Sequence, residues 1–420
     1  MPHKTKYALP IILATIFLDM LGIGILIPVI PLLLADPASA YYLLPTGWTI
    51  DDGYILLGFL TASYPLAQFL AAPILGQLSD RYGRKKVLVL SLIGTCLSYV
   101  LFAIGIITRN IPLLFISRAF DGMTGGNIAV AQAAIADITE PQNRAKTYGL
   151  MGAVFGLGFI IGPFLGGVLS NPQLISWFSA ATPFWFAAIL TSLNVLSVIR
   201  FLPETHPDRN EKQKIDWSKS FHNILGAFRF PALKTLFGTT FLFSAGFSFF
   251  TTFFAVYLIS RFGFSQGDIG NFFAFIGIWI VISQAVFTRI ASKHFSEQQI
   301  LSFSLVGCGL LVLAHLLPHA PWQLFLIVPV FAITNGLSVS NLTSLISRSA
   351  DRSVQGEVMG INSSIQALAQ ALPPIVSGFI AARFSPSVPT VVAGLLIITG
   401  GLIFAARYKS PAALSVLHQE

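Results

Sequence analysis

Along this chain the apolar positions come as long unbroken runs, and the polar ones gather in short intervals between them. A helix needs roughly 20 mostly apolar residues to cross the hydrocarbon core of a bilayer. Twelve runs reach that length, near residues 8–34, 53–77, 87–107, 111–138, 147–170, 181–202, 233–259, 267–290, 299–317, 321–349, 356–382 and 386–407. No stretch alternates apolar and polar residues with the period of two that a transmembrane barrel strand requires. The pattern predicts an all-α membrane protein with twelve transmembrane helices.

The longest polar interval divides these runs six and six. It predicts an N-terminal six-helix bundle (1–202), a cytoplasmic linker (203–232) and a C-terminal six-helix bundle (233–420). Inside the linker, IDWSKSFHNILGAF sets Trp217, Phe221, Ile224, Leu225 and Phe228 at helical spacing. That spacing predicts an amphipathic helix on the membrane surface. The halves also repeat each other. RAKTYGLMGAVFGLGFIIGPFLGG (144–167) lies over QGEVMGINSSIQALAQALPPIVSG (355–378), matching Gly149 to Gly360, Pro163 to Pro374 and Gly167 to Gly378. At one residue more of offset, GQLSDRYGRKKVL (76–88) lies over TRIASKHFSEQQI (288–300), where the acid and both glycines are lost. Two matches at nearly one offset point to duplication, and two parallel halves are an arrangement of transporters with a site near the membrane midplane.

Composition agrees with this class. Of 420 residues, 54% are hydrophobic and 10% charged, against about 25% charged in a soluble domain. The net charge of +8 suggests nucleic acid until its distribution is considered. With both termini inside, 21 of the 25 Lys and Arg fall on the cytoplasmic side; Arg109, Arg261 and Arg383 fall outside, and Arg118 lies within a span. This is the positive-inside bias, so the basic residues set topology and face lipid, and no nucleic-acid partner is implied. The first run reads as a retained span: it is long, Asp19 interrupts it, and no small-residue cleavage site follows. Cys96 and Cys308 both lie in apolar runs and read as free buried thiols.

Charges inside spans are costly and mark function by default. Three are clear: Asp19, Arg118 and Asp121. Asp19 lies about eleven residues into the first run, close to mid-membrane at roughly 1.5 Å per residue. Arg118 and Asp121 stand i,i+3 on one helix face and can pair. With both acids ionised the trio sums to −1, and with one proton bound it sums to zero. That balance suits a proton-coupled switch; a static ion network that only fixes packing is the alternative. Other polar residues in the spans are candidates for a substrate cavity, chiefly Tyr64, Gln68, Asn127, Asn335, Asn362 and Gln366. The seventh run, FLFSAGFSFFTTFFAVYL, holds Phe247 in a phenylalanine cluster that forms either an aromatic wall for a lipophilic ligand or, the commoner case, a lipid-facing surface. No phosphate-binding loop, no cluster of metal ligands and no nucleophile–base arrangement occurs, so no cofactor, metal or enzymatic activity is expected.

Four stretches carry a family likeness. GQLSDRYGRKK (76–86) resembles the loop motif between the second and third spans of the major facilitator superfamily. LDMLGIGILIPVIP (18–31), RAFDGMTGG (118–126) and GLGFIIGPFLGG (156–167) resemble signatures of the first, fourth and fifth spans of its tetracycline-resistance-type drug:proton antiporters. The likeness covers the N-terminal half well and the C-terminal half mainly in span pattern. It implies a monomeric exporter of small lipophilic compounds in a bacterial inner membrane, with both termini cytoplasmic. It also implies a gating latch at Gly76, Asp80, Arg81, Gly83 and Arg84, in which Asp80 faces the start of the eleventh helix near Gly356. Gly76 would admit a neighbouring helix and Gly83 would make the turn. Glu357 is an acid where Asp80 would dock, a departure from the pattern. Gly158, Gly162, Pro163, Gly166 and Gly167 would form a hinge; a helix that is merely tightly packed is the other reading. Relatives are usually uncharged at the position of Asp121, which sets this chain apart. A symporter or uniporter of a metabolite, and a non-transporting receptor on the same fold, are the competing functions.

Overall fold

The computed structural model describes residues 7–140, 144–206, 215–230, 233–349 and 355–408, with backbone only at 144–146, 148, 149, 355 and 356. Among these, every regular element is a helix: α1 (Ala8–Leu34), α2 (Ile50–Tyr82), α3 (Arg84–Ile107), α4 (Ile111–Thr124), α5 (Asn127–Ile138), α6 (Arg144–Leu169), α7 (Thr182–Phe201) and α8 (Lys219–Gly226). There follow α9 (Lys234–Phe262), α10 (Gln266–Ile282), α11 (Thr288–His294), α12 (Glu297–Ala314), α13 (Pro321–Arg348), α14 (Gln355–Arg383) and α15 (Val388–Arg407). A π-helical turn, Ser283–Phe287, joins α10 to α11, and Ser283 anchors it by donating to the Ile333 carbonyl of α13 at 3.0 Å. Eleven helices among the described residues are long and apolar enough to cross a membrane. The remaining run, 111–138, is two shorter helices, α4 and α5, broken at Gly125–Gly126. The twelve-span expectation is met with one span interrupted.

Local chemistry sets the helix starts. Thr49 and Asp52 form a reciprocal capping box at α2, and Ser265 and Asp268 form one at α10. Each satisfies backbone N–H groups that a helix start leaves open. The turn before α3 is shorter than the motif suggested. Gly76, Asp80 and Arg81 lie inside the last turns of α2, and Gly83 alone reverses the chain, at φ 98°. A side chain is strained at that φ, which accounts for the glycine.

The helices meet closely at the face carrying the 35–49 loop, hereafter the far face; the Gly83 turn and the linker mark the linker face. Two crossings there are copies of each other. Gly58 of α2 lies against the Pro374 carbonyl and Gly378 of α14; Gly270 of α10 lies against the Pro163 carbonyl and Gly167 of α6. Residues 58 and 270 differ by 212, and 163/374 and 167/378 by 211, so the sequence repeat is also a repeat of contacts. At both points a Cβ would collide with backbone, which is why glycine stands there. An apolar cluster seals the same face, uniting Tyr54, Leu57 and Ile30 with Phe253, Val256 and Ala381. Toward the linker face the contacts thin. A Cβ at Gly152 would meet only Gln284 Oε1 among the described residues, at 3.8 Å, and one at Gly76 would meet no neighbouring element within 4 Å, so the close helix expected at Gly76 does not pack there in this conformation.

At the linker face α8 lies between α2 and α14. Ser220 donates to the Phe69 carbonyl at 2.6 Å, and Asn223 Nδ2 donates to Ser364 Oγ at 3.0 Å. Gln77 and Asp216 exchange two hydrogen bonds, at 3.1 and 2.8 Å. The helix is amphipathic as its spacing predicts: Trp217, Phe221, Leu225 and Phe228 are exposed, and Ile224 packs on the core formed by α9–α15.

Candidate functional site

The intramembrane charges are buried together in the N-terminal half. Arg118 Nη1 donates to Asp121 Oδ2 at 2.6 Å within α4, and its guanidinium lies 4.6 Å from the Tyr64 ring centroid. Asp19, Arg118 and Asp121 are each at most 5% exposed. An ion pair in low dielectric persists only where its hydrogen bonds are good, and the cation–π contact supplies a second partner for the guanidinium. Asp19 Oδ1 accepts from Asn127 Nδ2 at 3.3 Å, whereas Asp19 Oδ2, Asn127 Oδ1 and Arg118 Nε have no partner among the described residues.

The break between α4 and α5 supports this group. Gln68 Nε2 donates both to Tyr64 Oη, at 3.1 Å, and to the Gly125 carbonyl that the break releases, at 2.9 Å. Gly122 is pressed on the Tyr64 carbonyl and tolerates no side chain, and one at Gly125 would have to displace the Tyr64 ring. Of three residues expected in a substrate cavity, Tyr64 and Asn127 thus contact the charges directly and Gln68 holds Tyr64. The other candidates lie in the C-terminal half and share no hydrogen bond with these among the described residues. Phe247 stacks on Phe243 at 6.5 Å. Asn335 and Asn362 are buried, each with an unpartnered Oδ1, and Gln366 is half-buried. Lipid-facing phenylalanine, the commoner arrangement, is not what α9 adopts: Phe243, Phe249, Phe250, Phe253 and Phe254 are buried in protein.

The α6 glycines divide by neighbour. Gly158, Gly162 and Gly166 press on Met20, Leu21, Gly24 and Ile25 of α1, and Gly167 faces α10. The helix runs unbroken through Pro163. The acid-bearing helix therefore rests in a groove that only glycine provides. At the linker face, Arg84 binds Asp80 at 2.6 Å and Asp137 at 3.2 Å, and its backbone N–H donates to Glu204 at 2.8 Å. Arg81 lies over the ring of Tyr82. Asp80 is thus engaged within its own half here; its expected docking point near Gly356 borders the segment outside the described residues, and Glu357 is exposed. Asp137 and Glu204 were not singled out in the sequence; their only signal is an acid at the end of an apolar run. His315, with no signal in the sequence, is buried among Phe250, Phe254 and Phe331, with Nδ1 bonded to the Leu311 carbonyl at 2.7 Å. Two cavities, of about 330 and 260 Å³, lie away from the charges, one beside Asp268 and Phe325 and one beside Phe303 and Thr334.

Two repeated halves of membrane-length helices, one of them enclosing a buried charge group, are the architecture of secondary transporters. A family model described as Major Facilitator Superfamily matches residues 12–374, and the chain belongs to that family. It is 32% identical over 386 residues to the tetracycline resistance protein, class C, of Escherichia coli, with 89% of each chain covered. It is 29% identical over 381 residues to multidrug resistance protein 1 of Bacillus subtilis (strain 168), with 90% of each covered. Its fold is similar to that of the human organic anion transporter MFSD10 (TETRAN), with a TM-score of 0.71 over 96% of this chain and 100% of that one, at 22% identity. The family read from the four motifs is borne out.

Proposed function

We propose that this protein exports small, largely apolar compounds in exchange for protons by alternating access, unchanged chemically and without a cofactor. The observation that carries this is the buried trio of Asp19, Arg118 and Asp121, which holds a charge of −1 or, with one proton bound, zero. A group whose net charge vanishes on protonation can cross between two enclosures; one that remains charged cannot do so cheaply. The relatives named for tetracycline and multidrug resistance support a drug-like substrate. The basic excess of the linker face supports placing that face in the cytoplasm of a bacterial cell, with both termini, and the chain then faces inward.

Residues 1–202 and 233–420 are the rocking bodies, with 203–232 between them, in a monomer surrounded by membrane lipid. The compound enters from the cytoplasm against the aromatic face of α9 and the amides Asn335, Asn362 and Gln366. Opening outward parts the glycine crossings at the far face and closes α2 onto α14 at the linker face. There Asp80 exchanges Arg84 for the N–H groups at the start of α14, while the glycine groove of α6 lets α1 turn. A proton then reaches Asp19 from outside and leaves it inside.

The test is proton movement in proteoliposomes, followed with a pH-sensitive dye while lipophilic compounds are added. Compound-evoked flux that is abolished in Asp19→Asn is expected. Flux that persists in that variant moves the coupling elsewhere, and cotransport of proton and compound in one direction replaces antiport with symport.

A further inference from the structure

We infer that Asn127 reads the protonation state of Asp19 by closing a two-bond acid–amide pair with it. The proton thereby becomes a pull on the helix that starts at the Gly125–Gly126 break. This rests on Asp19 being the proton carrier proposed above.

The argument starts from two leftover atoms. Asn127 Nδ2 donates to Asp19 Oδ1 at 3.3 Å, long for a bond to a carboxylate. Asp19 Oδ2 and Asn127 Oδ1 are both buried with no partner among the described residues. Each is an acceptor, so neither satisfies the other while Asp19 is ionised. Buried polar atoms are nearly always paired, and two unpaired acceptors on bonded side chains lack one proton. Placed on Oδ2, a proton makes an O–H donor facing the amide. The pair then carries N–H to Oδ1 and O–H to the amide oxygen, and no buried acceptor on it is left over. The O–H bond of Asp19 forms as one O–H bond of a hydronium ion breaks, leaving water, and the reverse step returns the proton to water as hydronium.

The surroundings leave this pairing to Asn127. Arg118 is committed to Asp121 and to the Tyr64 ring. The charged and titratable groups around Asp19 are Arg118 and Asp121 on α4, Tyr64 on α2 and Tyr99 on α3. α6 carries Arg144, Lys146 and Tyr148 only in its first five residues, α7 has only Arg200 near its end and α5 only Asp137 near its end, and the charges of α9 and α10 stand at their ends. Asn127 is also the first residue of α5, after Gly125 and Gly126 have ended α4. A second bond at Asn127 therefore draws the start of α5 toward α1. When the proton leaves, one long bond remains and the two helices part more readily. Asn127 is a positioning residue in this scheme, since it carries no proton itself.

Infrared difference spectra of the full chain in lipid, recorded between high and low pH, test the pair. The expected result is a carboxylic-acid carbonyl band that is missing in Asp19→Asn and sits at the low frequency of a doubly hydrogen-bonded acid. In Asn127→Leu the band persists but moves to higher frequency, and in Asn127→Ser, with one hydroxyl, it falls between. Protons moved per molecule of compound drop about tenfold or more in Asn127→Leu, the scale of one lost bond to an ionisable group. If Asn127→Leu does not fold, the shift in Asn127→Ser carries the comparison. A band at the same frequency in all three proteins overturns the pair and leaves Asp19 as the carrier. Absence of any Asp19-dependent band overturns the carrier reading and the pair with it.

Discussion

The two halves of this molecule share one plan and bury opposite materials. The N-terminal half packs Asp19, Arg118, Asp121, Tyr64, Gln68 and Asn127 into one polar group. The C-terminal half instead packs phenylalanines, with Phe250, Phe254 and Phe331 around the His315 ring at the end of α12. The start of the third helix in each half differs in the same spirit. In the C-terminal half Ser296 caps α12 locally, with Gln299 closing the box, whereas in the N-terminal half the N–H of Arg84 reaches Glu204, 120 positions away. Duplication supplied the frame, and divergence assigned charge handling to one copy and apolar contact to the other.

Removing a polar group should therefore cost very different amounts on the two sides. Asp121→Leu leaves Arg118 buried without its carboxylate, and a loss of about 3–5 kcal/mol of stability is expected, read as a lowered thermal midpoint in detergent. Where the halves remain alike, at the glycine crossings, substitution should not discriminate. Gly58→Leu and Gly270→Leu each force backbone apart, at about 1–3 kcal/mol, and should shift the population toward separation at the far face by similar amounts. Distances between spin labels on α2 and α14, and on α6 and α10, check this; a large effect at one crossing alone would break the symmetry.

Smaller effects sharpen the contrast. His315→Phe removes a buried nitrogen, Nε2, that has no partner, and is expected to change stability by no more than about 1 kcal/mol, since the lost bond and the relieved atom offset. The linker gives the smallest effect. Hydrogen bonds from Ser218 and His222 hold the Asp216 carboxyl down to about 2. Its contribution is fully present above the ordinary aspartate value of about 3.9, and is lost as pH falls through about 2. A spin label on the linker should stay immobile throughout the neutral range and loosen only in strong acid.

Much of the fold was legible because bilayer crossing imposes a length and an apolarity that any sequence must show. The three buried charges were legible for the same reason, since a charge in an apolar run stands out against it. The partners of those charges were less so. Tyr64, Gln68 and Asn127 were visible as polar residues in spans, but nothing in their spacing separates a cavity wall from a support for Arg118 and Asp19. The fourth span was read as continuous, because Gly125 and Gly126 are common in membrane helices and their break is fixed by Gln68 on another helix. The phenylalanines of α9 were ambiguous because lipid and protein interior are equally apolar.

By itself the sequence determined the number of spans, the sidedness of basic charge, the repeat and the three charges set inside spans. Each follows from a local energy: the cost of exposing backbone or charge to hydrocarbon, or the backbone freedom of glycine. Only the tertiary structure decided which atoms those groups meet. It matched Gly58 with Gly378 and Gly167 with Gly270, set α8 between α2 and α14, and left Asp19 Oδ2 and Asn127 Oδ1 without partners. Such pairings depend on how helices far apart in the chain are placed to within an ångström, and no periodicity along one helix encodes that.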